Sequence, residues 1–366
     1  MSIYISMIAW VLVTGLLFYK EKSYYRKENG TLALVADAYP YIAMAYIIFF
    51  AGLRSGVADT SAYILGFEKL PIGMQYASEA IGGDFNGWLF TYLELFIKTY
   101  ISKDFHVFLF IVAAFEGLLM AYGISKFSKY SRESMILFML AGIYTWMFNG
   151  IRQLISIALI FAGLDLLVHK KRFKYILLVL FAMCFHVTAV IMLPMCFLVD
   201  GKPWNKKTVF ILIAAVAVIF FASEFTNVLG GALEGTSMEG ATEQFAQDDG
   251  VNPLRVLANS VPAIIAFINR KTIEKINSRT LNTLVNLSTM TVGMSLVAMV
   301  TSGILIGRLV IYFNIFNLIL LPWLLNETFG KNKKLGKFAA YAFYLLWFYL
   351  ENLGFYVSDI LNIYAS

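Results

Sequence analysis

Apolar stretches recur along almost the whole chain and are separated by short polar segments. The hydrocarbon core of a bilayer is about 30 Å thick and needs roughly 20 apolar residues per helix. The first stretch has neither a basic start nor a small-residue cleavage site before Lys20, which predicts a membrane span rather than a cleaved signal peptide. The pattern predicts ten transmembrane helices, at 3–19, 31–53, 105–125, 134–150, 151–168, 208–229, 253–269, 283–301, 308–325 and 338–356.

Two further apolar stretches do not fit as single crossings. Residues 86–101 carry Glu94 and Lys98 four positions apart, so they are expected to pair with each other on an interfacial or partly inserted helix. The run 173–199 is long enough for one span, yet it lies between two basic clusters. We interpret it as a re-entrant hairpin with its tip near 185–188; the alternative is one ordinary span with one basic cluster misplaced.

Lysine and arginine indicate which way the chain runs. Six short clusters hold 22 of the 29 basic residues, at 20–27, 126–132, 170–174, 202–207, 270–279 and 331–337. The positive-inside rule places all six clusters in the cytoplasm, so each interval between them crosses the membrane an even number of times. Both termini are then expected outside.

Composition supports one membrane domain over residues 1–366, with outer segments at 54–104 and 223–252. Of the 366 residues, 60% are hydrophobic and 14% are charged, which excludes a water-soluble globular protein. The basic residues fall in short loops, so nucleic acid is not an expected partner. The segment 223–252 is acidic and glycine-rich and is either a mobile lid or a solvated loop.

Four arginines remain outside the cytoplasmic clusters, each at the outer end of a predicted span: Arg54, Arg152, Arg255 and Arg308. The planar guanidinium group donates two parallel hydrogen bonds to a phosphate and stays charged in a partly dry site. Four such side chains on one face predict a binding site for a pyrophosphate at the membrane surface. Taken singly, each arginine could instead be a snorkelling anchor or pair with a local acid.

Polar residues near Arg152 recur with helical spacing. Asn149, Arg152, Gln153 and Ser156 are expected to share one helix face and line a cavity; helix packing through hydrogen bonds is the alternative.

Two residues are candidates for a general base. His186 lies in the apolar sequence CFHVTAV at the predicted hairpin tip, and its imidazole could take a proton from a sugar hydroxyl. A buried histidine with satisfied hydrogen bonds is the alternative. Asp59, five residues beyond Arg54, could be a second base or could orient an arginine.

Motifs for nucleotide, metal or serine-nucleophile chemistry are not found in the sequence. It has no P-loop, paired-aspartate metal motif, H-E-x-x-H or G-x-S-x-G, and Cys184 and Cys196 lack metal-ligand spacing. We therefore expect no metal and no cofactor.

Four short segments together resemble the EpsG family of Wzy-like exopolysaccharide polymerases. They are LRSGVADTSAY (Arg54, Asp59, Tyr63), NGIRQLISIAL (Asn149, Arg152, Gln153), FHVTAVIMLP (Phe185, His186, Pro194) and GRLVIYF (Arg308, Tyr312, Phe313). They occur in the family's order and spacing over roughly residues 45–325. The departures are Leu53, where a phenylalanine often precedes the arginine, and the segment after Gly87.

This resemblance implies an all-α, polytopic, GT-C-like protein of the bacterial cytoplasmic membrane. It implies transfer of a growing glycan from undecaprenyl pyrophosphate to the non-reducing end of a lipid-linked repeat at the extracytoplasmic face. Partners would be the lipid-linked oligosaccharide, membrane lipid, and a flippase and chain-length regulator of the same pathway. Arg152, Arg308, Arg54 and Arg255 would bind pyrophosphate, His186 or Asp59 would be the base, and Tyr312 would join Asn149, Gln153 and Ser156 in lining the substrate site.

Three other functions remain open at this stage. A ligase would move finished glycan from the same carrier to another acceptor. A flippase or transporter would also bind a lipid pyrophosphate, but charges at mid-depth or broken helices in two related halves would be expected. An acyltransferase that modifies the polymer would also use a single histidine, but this function would give the four outer arginines no role.

Overall fold

The computed structural model of the protein describes residues 2–21, 24–26, 32–35, 37–82, 86–233 and 250–363. Apart from one small antiparallel pair of strands, β1 (Tyr24–Arg26) and β2 (Leu32–Leu34), the regular structure in these ranges is helical. The helices are α1 (Ser2–Phe18), α2 (Tyr39–Gly52), α3 (Thr60–Lys69), α4 (Ala77–Ile81), α5 (Trp88–Tyr100), α6 (Phe105–Phe127), α7 (Ser131–Leu140), α8 (Ile151–Ala162), α9 (Leu164–Val168), α10 (Arg172–Met183), α11 (Met195–Leu198), α12 (Lys206–Phe220), α13 (Ala222–Leu233), α14 (Pro253–Ile268), α15 (Arg270–Ile276), α16 (Arg279–Val300), α17 (Ile306–Leu309), α18 (Ile311–Asn314), α19 (Asn317–Glu327) and α20 (Lys333–Ile363). Short 3-10 helices lie at Met74–Tyr76, Ile143–Met147, Val187–Met192 and Gly330–Asn332.

The chain divides into two compact units. Unit 1 comprises Met1–Leu164, Leu178–Ala189 and Lys334–Ser366, and unit 2 comprises Asp165–Leu177 and Val190–Lys333. The prediction of a single membrane domain without a soluble part stays a prediction. Of the acidic outer segment, residues 223–233 form most of α13, whereas 234–249 lie outside the described residues.

Membrane-compatible helices are fewer than the sequence suggested. Among the described residues, α6 and α16 are each long and apolar enough to cross a bilayer. Two bent pairs add up to two more spans if each pair counts as one: α12 with the start of α13, bent by 106°, and Ile306–Asn314 with α19, bent by 50°. The predicted count of ten is therefore not confirmed, although many helices and two to four spans fit a membrane protein.

The predicted span 134–150 is wrong as a single helix. Helix α7 ends at Leu140, and Gly142 and Gly150 adopt left-handed backbone angles on either side of the 3-10 helix Ile143–Met147. Glycine tolerates that conformation because it has no Cβ, so these two residues interrupt the helix where apolar composition alone indicated continuity. The span 208–229 is likewise broken, at Phe221 between α12 and α13.

In unit 1, α2 and α6 pack closely because glycine occupies the contact points. A Cβ at Gly52 would meet Phe110, and one at Gly117 would meet Ile48 and Met44. Small residues at such contacts let apolar helices approach each other. Helix α1 joins this pair through a hydrogen bond from Trp10 Nε1 to the Ile42 carbonyl, 3.0 Å long.

Helix α20 of unit 1 is tied to α7 by a buried charge pair. Lys337 Nζ lies 2.8 Å from Glu133 Oε1, and the Glu133 side chain is nearly inaccessible. Lys337, from one predicted cytoplasmic cluster, therefore lies next to the residue that follows another, 126–132, and the side of the membrane on which they lie stays a prediction.

The run 173–199 starts and ends in the same place. The Asp200 carboxylate pairs with Lys170 at 2.7 Å and with Arg172 at 3.2 Å, so the two basic clusters that flank the run are adjacent. Along the run, α10 ends at Met183 and the chain returns through the 3-10 helix Val187–Met192 and α11. This path is that of a hairpin rather than of one straight span.

Candidate functional site

The predicted site residues divide between the two units. Unit 2 contains Arg255, Arg308 and Tyr312. Unit 1 contains the larger set, which is Arg54, Asp59, Asn149, Arg152, Gln153, Ser156 and His186.

The tip of the 173–199 hairpin is held by the residues that lead into α5. Leu89 N donates to the Cys184 carbonyl at 3.0 Å, and Val187 N donates to Asn86 Oδ1 at 3.2 Å. His186, between these two anchor points, is partly buried, and its Nδ1 lies 2.6 Å from Thr188 Oγ1. The start of α5 and residues 184–188, which we call the histidine loop, thus form one local structure, which the sequence did not indicate.

Arg152 lies beside this loop at the start of α8. The left-handed conformation of Gly150 precedes the helix and sets its direction. A Cβ built at Gly87 would lie 3.2 Å from Arg152 Nη1 and 2.9 Å from the Phe185 carbonyl oxygen, so both groups flank the glycine. Arg152 is partly exposed, and no ion pair joins it to a carboxylate within the described ranges. A guanidinium without a counter-ion, near a histidine loop, is suited to binding an anion.

Tyr63 connects Arg152 to α3. The Arg152 guanidinium lies within hydrogen-bonding reach of the Tyr63 phenol. Burial raises the pKa of this phenol, and the positive charge of Arg152 opposes that rise. The tyrosine is thus a neutral hydrogen-bonding partner that leaves the arginine charge uncompensated.

Arg54 is turned into the protein. Its side chain is 1% exposed, its Nε donates to Thr60 Oγ1 at 2.9 Å, and its Nη1 donates to the Ala51 carbonyl. Among the described acids, Glu116, which is fully buried on α6, acts on its charge. In this conformation Arg54 fixes the start of α3, and its contact with a phosphate stays a prediction.

Asp59 immediately precedes α3. Its carbonyl accepts hydrogen bonds from Ala62 N at 3.0 Å and Tyr63 N at 3.3 Å, and its side chain is partly exposed. The carboxylate is close enough to Tyr63 to act on the phenol electrostatically. Asp59 therefore belongs to the same cluster as Arg152, because Tyr63 lies near both.

The predicted pair of Glu94 with Lys98 is wrong. Lys98 Nζ donates to the carbonyls of Phe67 and Glu68, at 2.8 and 2.7 Å, where α3 ends. Glu94 is 8% exposed, and within the part of the chain that the structure describes Arg152 is the charged group that acts on its carboxyl. Burial raises the pKa of Glu94 to about 8, and Arg152 acts in the opposite direction. Lys98 thus donates hydrogen bonds to backbone carbonyls of a distant segment. The four-residue spacing had indicated a pair with Glu94 instead.

The polar stripe on α8 is shorter than predicted. Asn149 precedes the helix, so helical spacing does not apply to it. Ser156 is fully buried and donates to the Ala182 carbonyl at 2.8 Å, and Gln153 is 3% exposed. Ser156 therefore packs α8 against α10, which corresponds to the helix-packing alternative, whereas Arg152 alone of the stripe's helical members is partly exposed.

In unit 2, Arg255 and Arg308 lie on different helices. Arg255 is exposed in the first turn of α14, whose start is capped by a hydrogen bond from Leu254 N to Asn252 Oδ1. Arg308 is partly exposed in the short helix α17, and Tyr312 is 1% exposed in α18. Tyr312 in this position contributes to the core of unit 2.

One family of known proteins matches the chain. A model of the EpsG family matches residues 37–364, which is nearly the whole chain. No curated protein and no solved structure is significantly similar to it.

Proposed function

Since this chain belongs to the EpsG family of Wzy-like polysaccharide polymerases, we propose that it transfers a growing glycan from undecaprenyl pyrophosphate to the non-reducing end of a lipid-linked repeat unit. The reaction takes place at the extracytoplasmic face of the bacterial cytoplasmic membrane. It uses neither a metal ion nor a nucleotide. A flippase and a chain-length regulator of the same pathway would deliver the repeats and limit the product.

The reaction is a substitution at the anomeric carbon of the donor glycan. The acceptor hydroxyl oxygen forms a bond to that carbon, and the bond from the carbon to the pyrophosphate oxygen breaks. The electron pair of the broken bond leaves with undecaprenyl pyrophosphate, and the hydroxyl proton passes to a base. The protein has to compensate the developing negative charge and accept the proton.

The observation that supports this proposal most directly is the position of Arg152 beside the His186 loop. The arginine is partly exposed and has no described counter-ion, and the Phe185 carbonyl next to His186 flanks the same glycine as its Nη1. Arg152 then binds the leaving pyrophosphate and stabilises its charge in the transition state. Arg308, Arg255 and Arg54 are proposed as further phosphate contacts.

His186 is the proposed base because its geometry allows the required tautomer. When Nδ1–H donates to Thr188 Oγ1, Nε2 carries the lone pair that accepts the proton of the acceptor hydroxyl. Asp59 is the second candidate. It lies on the same cluster through Tyr63 and would orient the acceptor or replace His186 as base.

The test uses purified protein and defined lipid-linked repeats. A ladder of products identifies a polymerase, a single transfer identifies a ligase, and no covalent change favours a transporter.

Arg152→Ala is expected to lower chain growth at least about 100-fold, because the leaving group loses its charge stabilisation, while single repeats accumulate. Arg270→Ala is the matched control, since Arg270 is an exposed arginine over the Phe267 ring, outside the site. Normal polymer from stably expressed Arg152→Ala protein would overturn the assignment.

A further inference from the structure

Glu94 is a buried acid that the proposed transfer has not yet used. It lies in the middle of α5, 8% exposed, among large apolar side chains that include the buried Phe90, Leu95 and Ile97 of the same helix. No described group donates a hydrogen bond to its carboxyl, and Lys98, the nearest basic residue on its helix, is engaged by the carbonyls that end α3. A carboxyl in such surroundings is costly unless it has a partner, and acids retained in membrane proteins usually have one.

Glu94 lies on the helix whose start contacts Arg152. Arg152 is the charged group that acts on Glu94, although no ion pair joins the two side chains. The same guanidinium reaches Tyr63, and the first residues of the Glu94 helix are hydrogen-bonded to the hairpin tip beside His186. Glu94, Tyr63 and Arg152 therefore belong to α5, α3 and α8, three elements that meet at the histidine loop.

Glu94 follows Gly87, the glycine flanked by Arg152 Nη1, by seven residues, which is about two helical turns or roughly 10 Å along α5. A sugar attached to a phosphate on Arg152 is long enough to reach the carboxyl. A sugar hydroxyl both donates and accepts a hydrogen bond, and a neutral carboxyl does the same. If Arg152 binds the pyrophosphate, the hydroxyls nearest to the carboxyl are those of the sugar attached to it. An ionised carboxylate here would instead repel the pyrophosphate and compete for Arg152.

We propose that Glu94 binds a hydroxyl of the donor sugar adjacent to the pyrophosphate, with its carboxyl in the neutral form. This role rests on the proposed function, because it requires a glycosyl pyrophosphate on Arg152. It adds a substrate-binding residue from α5, the helix in the segment where the chain departs from the family pattern.

Activity should then depend on pH in a defined direction. Burial raises the pKa of Glu94 to about 8, so the carboxyl is neutral below that pH and ionised above it. Among the described residues, the charged group that acts on it from a neighbouring element is Arg152, which also bonds Tyr63, whereas Lys98 on its own helix is turned toward α3. Donor binding is therefore present at neutral pH and is lost as the pH rises through about 8.

The test compares wild type, Glu94→Gln and Glu94→Ala in the ladder assay, with KM for the donor measured between pH 6 and 9.5. Glutamine keeps a neutral donor and acceptor, so Glu94→Gln should stay within about threefold of wild type at pH 7. At pH 9 wild-type KM should rise about tenfold, since one pH unit above the pKa leaves about a tenth of the carboxyl neutral, whereas Glu94→Gln should show no such rise. Glu94→Ala should raise KM about tenfold at pH 7 with a smaller change in kcat.

The controls separate this role from a structural one and from the function itself. Glu79→Gln, an exposed acid on α4, should behave as wild type at every pH. A wild-type protein that forms no ladder refutes the proposed function, whatever the variants do. A wild-type ladder with the same pH profile for Glu94→Gln refutes the role of Glu94 alone, and it does so even if Glu94→Ala fails to fold.

Discussion

At the scale of single residues, Thr188 is a hydrogen-bonding partner of the imidazole of His186, the proposed base. Its Oγ1 lies 2.6 Å from Nδ1, and the hydroxyl group can either accept the Nδ1 proton or donate to an unprotonated Nδ1. Only the first arrangement leaves the lone pair on Nε2. The acceptor hydroxyl would select it, because proton transfer to Nε2 then produces an imidazolium whose Nδ1–H is already satisfied.

Thr188→Val tests this role. The substitution keeps the shape of the side chain and removes the hydroxyl, so kcat is expected to fall about tenfold with little change in KM. Thr188→Ser should restore most of the activity, because it keeps the oxygen. Equal losses in the valine and serine variants would show that Thr188 acts through packing and not through the imidazole.

The chemistry of single residues could be predicted from sequence only where it is local. His186 and Arg152 stood out as polar residues in apolar runs, and the structure brings their segments together. Glu94 did not stand out, because Lys98 four residues later offered a sufficient local partner. The carbonyls of Phe67 and Glu68, about 30 positions earlier, bind that lysine instead, and spacing along one helix contains no information about them.

At the scale of elements, the contact between the start of α5 and the hairpin tip organises the site. Gly87 allows it for two reasons: its backbone has φ of +80°, and the Phe185 carbonyl oxygen and Arg152 occupy the space where a side chain would begin. Neither reason is visible in the sequence, where Gly87 is one of 26 glycines.

Gly87→Ala is therefore expected to reduce activity more than its backbone strain alone would. A non-glycine residue with left-handed angles costs about 1–2 kcal/mol. Gly82→Ala is the matched control, since Gly82 has φ of +62° and its nearest neighbour is 3.8 Å away. Gly87→Ala should lose more stability in thermal unfolding than Gly82→Ala, because its Cβ would also lie 2.9 Å from the Phe185 carbonyl oxygen. Of the folded proteins, only Gly87→Ala should lose transfer activity. Activity losses of equal size would place the contact outside the functional site.

At the scale of the whole molecule, apolar composition predicted helices well and their continuity poorly. α1, α6, α14 and α16 lie close to predicted spans, whereas glycines at 142 and 150 and the bend at Phe221 divide others. A hydropathy pattern records how apolar a stretch is, but a break depends on backbone angles that one or two residues adopt. The charge pattern led to the hairpin interpretation of 173–199, whose two ends the structure brings together, and the side of the membrane on which they lie stays a prediction.

The hairpin 173–199 gives the sharpest test of that topology. Lys170 and Arg172 share Asp200 as an ion-pair partner, so both ends of the run must lie on the same side of the membrane. Lys171→Cys and Lys202→Cys, both exposed, are placed singly in a protein whose Cys184 and Cys196 are replaced by alanine. Each cysteine should react with a membrane-impermeant maleimide only after the cells are permeabilised, which exposes the cytoplasmic side. Lys103→Cys, an exposed lysine predicted to lie outside, should react in intact cells. Labelling of the two hairpin positions from opposite sides would make the run a single span and would leave the adjacency of its two ends without an explanation.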